Sequence, residues 1–113
     1  MLIVDDHASF RRAARMLLQA DGYEVIGEAV DGGSALSESR RLHPDVVLLD
    51  VGLPDQSGLD LAGELAAEPD PPAVVLVSSR DQSDFGRLIE RSGARGFIAK
   101  SRLSADNLQK LIG

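Results

Sequence analysis

The chain has 113 residues, a length that fits one domain (1–113) with a real apolar core. It contains no cysteine, which excludes a disulfide scaffold and any thiolate metal or redox site and suits a reducing cytoplasm. Its net charge of −6 argues against direct nucleic-acid binding, and no apolar run is long enough to span a membrane.

Strands and helices are predicted to alternate from the start of the chain. A short apolar strand covers 2–4, and the apolar residues from Phe10 to Leu18 then recur at helical spacing. A second strand is predicted over 24–30. The turn Asp31-Gly32-Gly33 leads into a second helix, and its two glycines lack the spacing of a dinucleotide fingerprint.

The central strand is predicted over 46–49, where four apolar residues stand in a row. Such a run, bounded by Pro44 and Pro54, is typical of a strand buried on both faces of a parallel sheet. Asp50 follows where this strand ends. In open α/β sheets ligands bind beyond the carboxyl ends of the strands, although a lone aspartate there can simply cap a loop.

The second half of the chain continues the alternation. The remaining predicted elements are a helix over 59–66, a strand over 73–77, a helix that begins near Phe85 and has Gly93 at its C-cap position, a strand over 96–99 and a helix over 103–112. Five strands alternating with five helices at short connections predict an α/β fold, with a parallel sheet covered on both faces.

Polar side chains follow four of these strands. They are Asp5, Asp6, Asp50, Ser78 and Lys100, and the topology brings them to one edge of the sheet. Converging carboxylates repel one another unless a cation joins them, and oxygen ligands suit Mg²⁺. Read alone, the acidic pair could simply favour the N-terminus of the next helix.

A divalent ion, an ammonium and a hydroxyl around one carboxylate are the groups of a phosphoryl-transfer site. The chain has no glycine loop of the kind that holds a nucleotide, so it should not be the kinase. Asp50 can itself be the nucleophile and form an aspartyl phosphate.

These motifs resemble the response-regulator receiver domain of bacterial two-component systems, over the chain from Leu2 to the final helix. They comprise Asp5-Asp6, the segment from Asp50 to Pro54, Ser78, and Phe97 with Lys100. The runs around Asp5 and Phe97 are most like receivers that precede a helix-turn-helix transcription domain.

The resemblance implies a flavodoxin-like sheet of order 2-1-3-4-5 and a Mg²⁺-dependent phosphoacceptor. The resemblance implies that Asp50 is the phosphoacceptor. It implies that Asp5 and Asp6, with Asp50 and the Gly52 carbonyl, are the Mg²⁺ ligands. It also implies that Lys100 is the cation that contacts the phosphoryl group, Ser78 the switch hydroxyl and Phe97 the switch aromatic. The expected partners are a histidine kinase or phosphotransfer protein, a C-terminal effector domain outside this chain, and a second copy after phosphorylation.

Two surfaces are expected to meet those partners. Basic residues of the first helix are the candidate docking face for a kinase: His7, Arg11, Arg12 and Arg15, with Ala8. The face of the fourth helix, last strand and last helix is the expected partner or dimer surface, with Phe97 turned outward among Arg87, Arg91, Arg95 and Lys110. A solvated basic face and an ordinary core phenylalanine are the plain alternatives.

Ser101 departs from the family pattern, which commonly has proline after the lysine, so the Lys100–Ser101 bond is either trans or held cis under strain. Two other functions use part of the same residue pattern. A haloacid-dehalogenase-like phosphatase needs a second aspartate where Gly52 stands. A degenerate, unphosphorylated receiver acting as a binding module is opposed by the complete set of functional residues.

Overall fold

Five parallel strands form one sheet in the computed structural model, which describes all 113 residues. The strands are β1 (Leu2–Val4), β2 (Gly27–Ala29), β3 (Val46–Asp50), β4 (Ala73–Ser78) and β5 (Gly96–Ala99). Their order is β2-β1-β3-β4-β5, and every neighbouring pair is parallel. The predicted doubly wound sheet and its strand order are confirmed.

Helices cover both faces of the sheet. They are α1 (Ala8–Ala20), α2 (Gly32–Leu42), α3 (Gly58–Ala66), α4 (Leu88–Arg91) and α5 (Ala105–Ile112). One apolar cluster joins the sheet to α2, α3 and α4, and the other joins it to α1 and α5. No helix combines the length and the apolar character that a bilayer crossing requires.

Alternate residues of β1, β3, β4 and β5 belong to the two clusters. Along β3, Val47 and Leu49 join the α2–α3–α4 cluster, and Leu48 joins the α1–α5 cluster. All three side chains are fully buried. The unbroken apolar run in the sequence therefore reflects two buried faces of one strand.

Two predicted elements are shorter than expected. Only residues Gly27–Ala29 of the predicted second strand pair with β1, although the amide of Ile26 still donates to the Met1 carbonyl at 2.9 Å. The fourth helix is reduced to the single turn Leu88–Arg91. It is preceded by a separate 3₁₀ turn at Gln82–Asp84, and Gly86, with φ of +55°, interrupts the helical path between them.

The last helix begins later than predicted. Its N-cap is Ser104, whose hydroxyl accepts a hydrogen bond from the Asn107 amide at 3.1 Å, so Leu103 lies outside the helix. A 3₁₀ turn, Lys100–Arg102, connects β5 to this cap. The Lys100–Ser101 peptide bond is trans.

Gly58, the first residue of α3, lies against the backbone of the β3 end. A Cβ atom there would collide with the Asp50 carbonyl oxygen and would lie 2.8 Å from the Val51 Cα atom. The Gly58 amide donates to the Val51 carbonyl at 2.7 Å. The loop after Asp50 therefore closes tightly on itself, and only glycine fits where it closes.

We predict that Gly58→Ala lowers the free energy of unfolding by at least about 2 kcal/mol, because backbone atoms cannot move aside for the methyl group. Gly63→Ala, in the same helix, is the control, since its Cβ would be 3.6 Å from the nearest atom. That control should change stability by under about 1 kcal/mol, in the stabilising direction. Urea denaturation measures both, and equal effects would contradict the prediction.

Candidate phosphoacceptor site

The strand register gathers the predicted polar residues at one edge of the sheet. Asp50 pairs with Val77, so Ser78 lies one position further along β4. Ser78 in turn pairs with Ala99, the residue before Lys100. On the other side, Val4 pairs with Leu49, which sets Asp5 next to Asp50. The predicted convergence is therefore observed in the structure.

Asp5, Asp50 and Lys100 form the centre of this edge. The Lys100 Nζ atom is 2.6 Å from Asp5 Oδ2 and 3.5 Å from Asp50 Oδ2. Both carboxylates are buried, and the Asp5 side chain has no exposed surface. One ammonium thus compensates two buried negative charges.

The pKa of Asp50 lies above its ordinary value. Burial is the largest cause, and the negative charge of Asp5 adds to it. The Lys100 ammonium and a hydrogen bond from the Gly52 amide, 3.4 Å from Asp50 Oδ1, act in the opposite direction. The carboxylate is therefore held at a higher free energy than one in water.

Asp5 is fixed by contacts on several sides. Its amide donates to the Ala29 carbonyl at 3.1 Å, and its own carbonyl accepts from Arg11 Nη1 at 2.7 Å. Its Oδ1 atom accepts from the His7 amide at 2.8 Å and lies 3.0 Å from His7 Nδ1. The Oδ2 atom accepts no hydrogen bond of good geometry and meets only the Lys100 ammonium.

Asp5, Asp6, His7 and Asp50 make up an acidic cluster that can hold a divalent cation. One ligand atom from each lies within 4.8 Å of the other three. The donors are mainly carboxylate oxygens, and the two buried carboxylates of Asp5 and Asp50 share the single ammonium of Lys100. Both features fit a hard cation, which would supply the missing positive charge.

Phe10 is a functional neighbour that the sequence did not reveal. Its ring lies beneath Lys100 Nζ, 4.5 Å from ring centroid to nitrogen, and stabilises the ammonium through a cation–π contact. In the sequence Phe10 is only the first residue of an apolar stripe. The lysine stands ninety positions away, so no local pattern could join them.

The free basic face predicted for the first helix does not include Arg11 and Arg15, because both side chains are paired with Glu28. Their Nε atoms are each 2.9 Å from an oxygen of Glu28 on β2, and the Arg11 side chain is only 16% exposed. Burial alone would raise the pKa of Glu28, but hydrogen bonds from Arg15 and Arg11 hold it below its ordinary value. Arg12 alone of the three is exposed, so the predicted docking face needs this correction.

Asp55 anchors the loop that follows Asp50. Its two carboxylate oxygens accept hydrogen bonds from the amides of Gly32 and Gly33, at 2.8 and 3.1 Å, at the N-terminus of α2. These bonds, that from Gly32 first, hold the pKa of Asp55 below its ordinary value. The glycine pair in the sequence thus binds an anion belonging to the chain itself.

A line of contacts leads from Ser78 to Phe97. The Ser78 hydroxyl accepts from the Arg80 amide at 3.0 Å, and the Arg80 guanidinium lies 5.6 Å from the Phe85 ring centroid. That ring is in turn 5.6 Å from the Phe97 ring, centroid to centroid. Phe97 is half-buried against the core, not turned outward as predicted.

The family profile described as the response regulator receiver domain matches residues 1–112. The chain belongs to the response-regulator receiver family. It is a receiver domain of two-component systems, and such receivers are phosphoacceptor signalling domains. The match covers the whole sheet described above.

Relatives support the same assignment of the receiver. The response regulator GacA of Pseudomonas viridiflava is 35% identical over 112 residues, covering 98% of this chain and 52% of GacA. The nitrate/nitrite response regulator NarP of Escherichia coli is 40% identical over 102 residues, covering 88% of this chain and 47% of NarP. The chain thus spans about half the length of the curated relatives it matches.

Solved structures agree with the fold of the receiver. The signal receiver domain of NarL from Mycobacterium tuberculosis has a TM-score of 0.85 and 31% identity, covering 99% of this chain and 94% of that one. A two-component response regulator of the LuxR family from Aurantimonas has a TM-score of 0.85 and 29% identity, covering 96% and 78%.

We predict that Arg11→Glu lowers the free energy of unfolding of the receiver by at least about 2 kcal/mol, since it removes charged hydrogen bonds to Glu28 and to the Asp5 carbonyl. Arg12→Glu is the matched control on the same helix and should stay within about 0.5 kcal/mol. Denaturant titration compares the two, and an equally small effect of both would contradict the structural role of Arg11.

The raised pKa of Asp50 predicts a pH-dependent effect of Asp50→Asn, measured by denaturation in chelator. The folded state binds the Asp50 proton more tightly than the unfolded state, so ionisation lowers stability as pH rises from about 3.9 through the raised pKa. The neutral asparagine avoids this loss. The variant should therefore be the more stable protein at neutral pH, with the difference vanishing in acid; a variant that is less stable at pH 7 would contradict the prediction.

Proposed function

We propose that residues 1–113 form one receiver unit that accepts a phosphoryl group on Asp50 from a histidine kinase or phosphotransfer protein. The observation that carries the proposal is the buried Asp50 carboxylate, which shares the Lys100 ammonium with Asp5 at the carboxyl edge of the sheet. The intact set of acidic, hydroxyl and cationic groups argues against a degenerate receiver that only binds partners.

Asp5, Asp6 and Asp50 would hold Mg²⁺, joined by the backbone carbonyl of Gly52. The oxygen-rich cluster supports this assignment, as does the sharing of one ammonium by the two buried carboxylates of Asp5 and Asp50. When bound, Mg²⁺ neutralises charge on the phosphoryl oxygens. The chain's own contribution is to fix these ligands, which the contacts around Asp5 do before any ion arrives.

An oxygen of the Asp50 carboxylate forms the new bond to phosphorus. The bond from phosphorus to the donor's imidazole nitrogen breaks, and the imidazole keeps the electron pair. Lys100 stays beside Asp50 and meets the negative charge that the phosphoryl oxygens bring into the buried edge. Water can reach the acyl phosphate in the same site, so we expect slow hydrolysis to remove the phosphoryl group. The receiver acts as a signalling domain in this scheme, with no external substrate to turn over.

The longer regulators among its relatives suggest what lies beyond this chain. The matched relatives are about twice the length of this chain. The Aurantimonas structure is of a LuxR-family response regulator, and this chain resembles its receiver. We place this domain before a helix-turn-helix effector domain that would bind DNA, while the acidic receiver itself does not. Phosphorylation would act on that domain or on a second receiver copy.

We expect the conformational change on phosphorylation to follow the contacts from Ser78 to Phe97. If the Ser78 Oγ atom moves toward a phosphoryl oxygen, it leaves the Arg80 amide from which it accepts a hydrogen bond, and this would free the segment that carries Phe85. Phe97 lines a solvent-open cavity of about 580 Å³ between residues 81–83, β5 and α5, and the proposed movement of its ring is into this space. The exposed residues of this face are the expected partner surface: Arg87, Arg91, Arg95 and Lys110.

Incubation with Mg²⁺ and acetyl phosphate should add one phosphoryl mass to the intact chain. Asp50→Asn should add none, since the amide is not a nucleophile for this reaction, and excess chelator should abolish the shift in the wild-type chain. Asp45→Asn is the matched control, an exposed carboxylate before the start of the same strand. Labelling of the Asp50 variant, or undiminished labelling in chelator, would refute the proposal.

The switch is tested by NMR on the free and fluoroberyllate-bound chain. Because one hydroxyl contact supplies only a few kcal/mol, we expect a shift in the population of the Phe85 and Phe97 rings, not an absolute change. Ser78→Ala should bind the analogue without moving the rings. Chemical-shift changes confined to the Asp50 loop in the wild-type chain would rule the mechanism out.

A further inference from the structure

Another cavity lies at the amino-terminal edge of the sheet, at the end of β3 opposite Asp50. It has a volume of about 250 Å³ and is bordered by the end of α2 and by the connection from α3 to β4. Two of its lining residues, Pro44 and Pro72, stand just before the starts of β3 and β4. The phosphoacceptor site occupies the carboxyl edge of the same sheet, so the two sites are separate.

Proline rings supply the apolar wall of this cavity. They belong to Pro44, which is buried, and to Pro69 and Pro72. The Ala73 amide donates to the Asp45 carbonyl at 2.9 Å and so joins the residues that follow two of these prolines. A wall of short rigid rings on a paired backbone needs little ordering when a ligand arrives, and this lowers the cost of binding.

Ser39 brings an unpaired hydroxyl to the same cavity. The residue is only 7% exposed, and it is one of those that line the cavity. Its Oγ atom forms no hydrogen bond, whereas the two other buried serines, Ser78 and Ser92, both form side-chain hydrogen bonds. The Ser39 oxygen is not sealed in the core, since the one fully enclosed side-chain atom without a hydrogen bond is on Asp5. A buried hydroxyl without a partner costs free energy, so a ligand that supplies the partner is favoured.

We propose that this cavity binds a small phenolic molecule, with its ring against the prolines and its hydroxyl hydrogen-bonded to Ser39. Proline and aromatic rings pack together in many peptide complexes. A cavity of about 150 Å³ in another protein takes up benzene, so one of about 250 Å³ has room for a ring with a substituent. A phenol hydroxyl can donate and accept, as the serine hydroxyl can, so the two groups satisfy each other in either direction.

The charged rim favours a free molecule over the tyrosine of a protein partner. Arg40 Nε lies 2.7 Å from Glu68 Oε1, and this ion pair joins α2 to the residues after α3 beside the cavity. Asp70 is exposed and lines the cavity as well. The peptide groups on either side of a tyrosine would displace water from these charges, which a free phenol does not do. This inference goes beyond the proposed phosphoacceptor function and does not rest on it.

Binding is measured by NMR titration of the whole chain with phenol and with toluene, which has the same shape but no hydroxyl. Phenol should bind saturably with a Kd of about 1 mM or below, and its shifts should centre on Ser39 and His43. Ser39→Ala should weaken phenol at least about fivefold and leave toluene within about twofold, because it removes one hydrogen bond. Ser37→Ala is the matched control, since Ser37 is exposed on the same helix and does not line the cavity. It should leave both affinities unchanged.

Stability without ligand is the second readout. Both substitutions raise helix propensity, but only Ser39→Ala removes an unpaired buried hydroxyl, so its urea midpoint should rise further than that of Ser37→Ala. Equal midpoints, unchanged phenol affinity in Ser39→Ala, or phenol shifts centred on the cavity beside Phe97 would each overturn the proposal. N-acetyltyrosinamide that binds as tightly as phenol would assign the site to a partner's tyrosine and overturn the small-molecule assignment.

Discussion

The burial of two carboxylates beside one ammonium is the constraint on which this structure depends. Asp5 and Asp50 lie at the carboxyl ends of adjacent strands, where Lys100 contacts both. Desolvation and mutual repulsion destabilise the pair, as the raised pKa of Asp50 shows. In the proposed function a bound cation would offset this excess of negative charge before an anionic phosphoryl group arrives. Without the cation the fold retains a local instability and compensates for it elsewhere.

The compensation comes from groups around the site. Arg11 binds the Asp5 carbonyl, Phe10 supports the Lys100 ammonium, and Gly58 lets the loop after Asp50 fold back on its own backbone. Asp55 ties the same loop to α2. None of these groups needs to touch a phosphoryl group. They hold the reactive side chains in place, since ion and phosphoryl binding would otherwise have to order them.

The two sides of the sheet differ in how firmly they are held. On the β1–β2 side, Arg11 and Arg15 of α1 both form ion pairs with Glu28 of β2. On the β4–β5 side, α4 is a single turn, Leu88 is 55% exposed and a cavity adjoins Phe97. Weak packing lowers the free energy needed to rearrange a segment. The side proposed to meet the donor and the ion is therefore the more firmly held, while the side expected to carry the signal is the more weakly packed.

The sequence by itself determined the fold and the residues at the sheet edge. Strict alternation of apolar strands and helices defines a doubly wound sheet, and such a sheet must bring Asp5, Asp50, Ser78 and Lys100 together. Only the tertiary structure decided which helical residues support them. The sequence pattern of α1 is the same whether its arginines and Phe10 face solvent, a partner or the site, because their partners, Glu28 on β2 and Lys100 just after β5, are distant in the chain. The orientation of Phe97 and the length of α4 were likewise set by packing and by a left-handed Gly86, which no periodic pattern encodes.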